Sequence, residues 1–235
     1  MEPAERRTEA ERRSNARETA AARAPAERRT EAQRRAEARD AEAEADAEGD
    51  AEGDAEEGPS ARRRAPSVVL VNTGHGKGKS SAAFGVMGRA WARGWRVGVV
   101  QFVKSGKWKT GERKLADHLG IEWHTLGDGF TWESTDLDET AAKGRHAWEV
   151  ARDKLASGSY DLLVLDELTY AVTYGWVPVT DVVQGVRDRA PRTNVVITGR
   201  DAPEELIEVA DTVTEMRKVK HAYDRGITAK KGIEY

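Results

Sequence analysis

The chain has 235 residues and a net charge of −3, with 38 basic residues against 41 acidic ones, a balance that argues against general nucleic-acid binding although it averages over strongly segregated local charge. Cysteine is absent, which excludes disulfides, thiolate metal sites and a cysteine nucleophile. No apolar run approaches the length needed to cross a bilayer, and the arginine-rich, acid-rich start lacks the apolar centre of a secretory signal, so a soluble cytoplasmic protein is expected.

From Met1 to Pro66 there is no Val, Ile, Leu, Phe, Trp or Tyr. Residues 4–13 and 26–35 repeat one theme, AERRTEAERR and AERRTEAQRR, made of helix formers with Glu and Arg spaced for pairing. An acidic stretch with glycines follows from Asp40 to Glu57, and Arg62, Arg63 and Arg64 then reverse the sign. Such a segment has almost nothing to bury and cannot offset the entropy of folding. Residues 1–66 are therefore read as a charged, low-complexity extension, disordered or loosely helical, and residues 67–235 as one folded domain.

The domain opens with VVLVNTGHGKGKSS, residues 68–81: a buried strand, a glycine-rich turn, and a helix from about Lys79 to Arg93. That order is the setting of a phosphate-binding loop. Gly74, Gly76 and Gly78 allow the backbone to turn N–H groups inward around an anion, with His75 and Lys77 between them. Lys79 adds a mobile positive charge, Ser80 offers a hydroxyl to Mg²⁺, and the new helix presents its N-terminus. The loop is a variant, because Thr73 stands where G-x-x-x-x-G-K-[ST] has its first glycine.

The predicted helix carries Ala83, Phe84, Val86, Met87, Ala90 and Trp91 on one face. Strands follow at 95–102 and 121–126, with a lysine-bearing loop (Lys104, Lys107, Lys109) and a short helix near 112–119 between them. GDGFTWEST, 127–135, has no regular period and reads as a loop. A helix spans about 136–157, capped by Ser134 or Asp136, with Ala147, Trp148, Val150 and Leu155 facing inward.

YDLLVLDE, 160–167, is a continuous apolar strand ending in Asp166 and Glu167. A helix near 179–189, a strand at 193–198, a helix near 204–209 and a last strand near 212–216 complete the alternation. Repeated βα units of this kind predict an α/β three-layer sandwich with a mostly parallel sheet, of the P-loop NTPase type and RecA-like. In such sheets ligands sit at the carboxyl ends of strands, where Gly74, Asp166 and Gly199 all fall.

Asp166 and Glu167 stand where phosphate-loop proteins hold Mg²⁺, directly or through water, and either carboxylate fits a hard cation. A carboxylate at a strand-to-helix turn also serves as a helix cap. Arg200, in the TGR that ends the fifth strand, offers positive charge to a polyphosphate. Phe130 and Trp132 lie in a loop, where large aromatics either anchor it to the core or wall a flat ligand; the residues alone favour the anchor. The five histidines show no metal-ligand spacing; His75 falls inside the loop, and His118, His124, His146 and His221 read as surface or packing residues.

Taken together, VNTGHGKGKSSAAFG (71–85), VQFVKSGKW (100–108), GDGFTWE (127–133), LLVLDELTY (162–170), VVITGRDAPEELIEVADTVTEM (195–216) and KHAYDRGITAKKGIEY (220–235) resemble the ATP:corrinoid adenosyltransferases of vitamin B12 synthesis. The phosphate loop is common to many families; the aromatic loop, LDELTY and the C-terminal run are more specific. The resemblance implies transfer of the 5′-deoxyadenosyl group of ATP to Co(I) of a corrinoid, with release of triphosphate. It implies that Gly74 to Ser80 bind the triphosphate, that Ser80 and Glu167 hold Mg²⁺, and that Phe130 and Trp132 press on the corrinoid, reversing the anchor reading. It also implies a homodimer and a reductase, a flavoprotein, that supplies Co(I). The family's N-terminal helix folds over the active site, whereas residues 1–66 lack the large apolar side chains with which a lid would pack. The competing expectations are a phosphate-loop ATPase or switch with Glu167 polarising water, and a corrinoid carrier without turnover.

Overall fold

The computed structural model describes residues 64–105, 110–127 and 137–234, side chains excepted at 104, 105 and 137. The expectations for residues 1–63, for the Lys104, Lys107 and Lys109 side chains, for the caps at 134 and 136, and for Phe130 and Trp132 fall outside the described residues.

The strands are β1 (Val69–Thr73), β2 (Val97–Ser105), β3 (Glu122–Gly127), β4 (Leu162–Asp166), β5 (Asn194–Thr198) and β6 (Thr212–Glu215). The helices are α1 (Lys79–Ala92), α2 (Gly111–Leu119), α3 (Leu137–Ala156), α4 (Leu168–Thr173), α5 (Val179–Arg187) and α6 (Glu204–Val209). The strands form one sheet in the order β3-β2-β4-β5-β1-β6, with every pair parallel.

Every residue of β4 is buried, and alternate side chains serve opposite faces. Leu162 and Val164 join Val99 and Val196 under Ala83, Phe84 and Met87 of α1. Leu163 and Leu165 join Val71 and Ile197 under Ala147, Trp148, Ala151 and Leu155 of α3. Covering a parallel sheet on both faces is what makes its strands read as unbroken apolar runs. Each such Leu contributes about 1.5–3 kcal/mol by leaving water. The result is the three-layer α/β sandwich, with the phosphate loop directly after β1.

Two departures have simple causes. Trp91, expected inward, is 42% exposed, because the helical turn carries position 91 past the stripe of Ala83, Met87 and Ala90; its indole N–H instead donates to the Leu119 carbonyl at 3.0 Å. Helix α4 was not predicted, since LTYAVT continues the apolar run of β4 without a change of period.

Because all the strands run one way, their C-terminal ends share one edge of the sheet. Strand β5 lies between β1 and β4, so its last residue, Thr198, stands between the glycine loop and the pair Asp166 and Glu167. The strand order alone brings these three sequence-distant segments together.

Candidate functional site

After Thr73 the chain turns through Gly74 (φ 92°) and Gly78 (φ 112°), both in the left-handed region that a Cβ disfavours, and enters α1 at Lys79. The Lys79 ammonium donates to the Gly76 carbonyl at 2.6 Å, and the Asn72 side-chain amide donates to the Lys79 carbonyl at 3.3 Å. The loop is thus held from inside before any ligand arrives. Burial lowers the Lys79 pKa and Arg200 adds to the lowering, while Glu167, Asp166 and Asp201 oppose it. The charge balance around the lysine is therefore shared by three separate loops.

Asp166 and Glu167 adjoin in sequence and differ in surroundings. Asp166 is fully buried; one carboxylate oxygen accepts from the Gln101 amide at 2.8 Å and the other from the Thr198 hydroxyl at 2.7 Å. Glu167 adopts φ 64°, and its N–H donates to the same Thr198 hydroxyl at 2.9 Å. Its side chain lines a cavity of about 420 Å³ together with Lys79, Ser80 and Arg200. That volume is within the range of small-molecule sites, about 300–1,000 Å³.

The far wall comes from the GRDAP turn and the C-terminal segment. Gly199 (φ 146°) passes so close to α4 that a Cβ there would lie 1.9 Å from the Thr169 hydroxyl, which itself donates to the Arg200 carbonyl at 2.6 Å. His75 pairs with Asp201 at 2.9 Å, and Lys77 forms an ion pair with Glu234. Lys218 and His221 also face the cavity.

Comparison with known proteins bears directly on this arrangement. The model of the family described as ATP:corrinoid adenosyltransferase BtuR/CobO/CobP matches residues 66–235. The chain belongs to that family. A corrinoid adenosyltransferase of Escherichia coli (strain K12) is 45% identical over 168 residues, covering 72% of this chain and 85% of that protein. The Pseudomonas aeruginosa corrinoid adenosyltransferase is 46% identical over 170 residues, covering 72% and 83%. Among solved structures, the flagellar accessory protein FlaH from Methanocaldococcus jannaschii overlays with a TM-score of 0.42 at 12% identity, covering 64% of this chain and 71% of that one.

Within this corrinoid adenosyltransferase family member, His75, Gly76, Lys77, Gly78, Lys79, Ser80, Glu167 and Arg200 all line the same cavity. Gly74 is buried at the base of the loop, and Asp166 lies behind Glu167 rather than on the cavity wall. The sequence reading passed over Thr198, Gln101, Tyr170 and the cavity-facing Lys218, and it took His221 for a surface or packing residue, whereas the C-terminal segment brings it to the cavity wall. Their signal was present only as position. Thr198 ends an apolar strand, Tyr170 closes LDELTY, and Lys218 and His221 sit in or beside the C-terminal run.

The donor set suits Mg²⁺. Ser80 and Glu167 are hard oxygen donors on the wall that also carries Lys79, and among the described residues no group of three or more His, Cys, Asp or Glu is arranged to hold a metal ion by itself. A cation that keeps waters and completes its shell with substrate phosphates needs only one or two such protein ligands.

Proposed function

We propose that this chain transfers the 5′-deoxyadenosyl group of ATP to Co(I) of a corrinoid, as a step of cobalamin biosynthesis, releasing triphosphate. The carrying observation is the convergence of the glycine loop, Lys79, Ser80, Glu167 and Arg200 on one cavity in a chain of this family. In the reaction the filled cobalt orbital attacks C5′, the cobalt–carbon bond forms, and the C5′–oxygen bond breaks with its electron pair leaving on triphosphate. Co(I) is nucleophilic enough to need no protein base. What the protein supplies is alignment and stabilisation of the charge that grows on the leaving oxygens.

Lys79 and the loop N–H groups would carry that stabilisation, with Arg200 opposite them. Ser80 and Glu167 would hold Mg²⁺, which when bound neutralises triphosphate charge; Asp166 would act behind Glu167 or through water. Phe130 and Trp132 would wall the corrinoid and displace its lower ligand, which eases reduction of Co(II). The reading extends to a cytoplasmic homodimer that takes its electron from a flavoprotein reductase. Its support is the family membership; no helix among the described residues is long and apolar enough to cross a membrane.

Anaerobic incubation with ATP, Mg²⁺ and cob(I)alamin is the test. An adenosylcobalamin spectrum with one triphosphate per cobalt is expected. ADP and phosphate formed without corrinoid would establish the ATPase instead, and bound corrinoid without a cobalt–carbon bond would establish a carrier.

A further inference from the structure

We propose that Thr198 is a positioning residue, whose single hydroxyl, oriented by Asp166, which Gln101 holds from its other side, fixes the backbone of Glu167 so that its carboxylate faces the cavity. The inference rests on the reading that Glu167 serves the nucleotide and its Mg²⁺.

The geometry is a relay across three neighbouring strands. Gln101 on β2 pairs in register with Asp166 on β4, and its side-chain amide donates to one Asp166 oxygen at 2.8 Å. The other Asp166 oxygen accepts the Thr198 proton at 2.7 Å. A hydroxyl has one proton, so giving it to Asp166 turns a lone pair outward, and the Glu167 N–H donates into that lone pair at 2.9 Å. Gln101, Asp166 and Thr198 are all buried, which strengthens these bonds.

This arrangement has something to hold. Glu167 sits at φ 64°, and among the described residues only Asp201 shares a positive φ without being glycine. A side-chain-bearing residue keeps such a conformation only where its surroundings over-determine it. At Glu167 the conformation reverses the chain from β4 into α4 and puts the side chain on the cavity wall. Orienting the hydroxyl gives a buried carboxylate outside the cavity a defined task.

The experiment uses the full chain with Thr198→Val, which keeps the shape and removes the hydroxyl, and Thr198→Ser, which keeps it. Residue-resolved amide exchange is the first readout. Thr198→Val should speed exchange of the Glu167 amide about tenfold or more relative to Val164 in β4, and Thr198→Ser should leave it protected. The second readout is ATP binding titrated with Mg²⁺: Thr198→Val should raise the half-saturating Mg²⁺ concentration several-fold and leave Mg²⁺-free ATP affinity unchanged. An unchanged Glu167 amide in Thr198→Val overturns the proposal. Should that variant fail to fold, Gln101→Met takes its place, with the same direction of change expected and the same overturning result. If Glu167→Gln leaves the Mg²⁺ requirement untouched while Thr198→Val still exposes the amide, the positioning stands and the metal reading of Glu167 fails.

Discussion

Gly76 in the phosphate loop and Met216 just beyond β6 are joined backbone to backbone: the Gly76 N–H donates to the Met216 carbonyl at 2.5 Å, and a Cβ on Gly76 would stand 2.5 Å from that same oxygen. The glycine is required here for room, not for a left-handed φ. Gly76→Ala should push the end of β6 from the loop, weaken ATP binding about tenfold or more, and cost about 1–3 kcal/mol in unfolding. Calorimetric titration with ATP beside urea unfolding measures both. Wild-type affinity in the variant would mean that loop and strand separate without consequence.

A second close approach, between Gly199 and Thr169, tests how the Arg200 turn is seated. A Cβ at Gly199 would lie 1.9 Å from the Thr169 hydroxyl and would also meet a φ of 146°. Gly199→Ala is expected to destabilise by about 3 kcal/mol, the sum of backbone strain and overpacking. Thr169→Ala removes the hydroxyl, so the double variant should recover part of the loss, and a double-mutant cycle reads the coupling. Strict additivity would show that the strain at position 199 is entirely backbone.

Lys79 gives the site a pH dependence whose direction its neighbours control. Burial first, and Arg200 second, bring its pKa below that of an ordinary lysine, while Glu167 resists. The alkaline limb of kcat/KM reports groups of the uncombined enzyme, so it should fall at lower pH than a solvent-exposed lysine would set. Arg200→Ala should move that limb to higher pH and Glu167→Gln to lower pH, whatever either does to the absolute rate. Shifts of the same sign in both variants would rule out Lys79 as the titrating group.

What could be read from the chain beforehand was local or periodic. The β4 run LLVLD announces itself because both faces of the sheet are covered, so no polar residue interrupts it. GHGKGKS and DE state their chemistry within a few residues. Thr198 could not be read that way, because its partners lie 31 and 32 residues away and meet it only through a strand order that no local pattern encodes. The same is true of the C-terminal segment. Val219 and Ile233 look like core residues in sequence, yet they are largely exposed, while Lys218, His221 and Tyr223 face the cavity. Trp91 shows the complementary failure: it was placed inside by its helical spacing, and its indole donates to the Leu119 carbonyl at the surface instead.

Away from the cavity, Glu122 is the centre of a polar cluster that ties β3 to the end of α3 and to the start of β4. Its carboxylate accepts from Lys154 at 2.7 Å and from the Tyr160 hydroxyl, with His124 Nε2 also at 2.7 Å. Burial alone would raise the Glu122 pKa, but the hydrogen bonds from Lys154, Tyr160 and His124 outweigh it and bring it down to about 2, from an ordinary 4.5. A carboxylate whose pKa is lower in the folded state stabilises above its unfolded pKa. That contribution is lost as pH falls from about 4.5 to about 2, the window in which the unfolded chain binds the proton more readily. The side chain is nearly half exposed, so solvent screening reduces the contribution to the order of 1 kcal/mol. Glu122→Gln should therefore be less stable than wild type at neutral pH by about that amount, and the two unfolding curves should converge as the solution is acidified through this window. Urea unfolding at a series of pH values measures the gap. A gap that stays constant from neutral pH down to 2 would mean that the cluster acts through packing of the side chain and not through its charge.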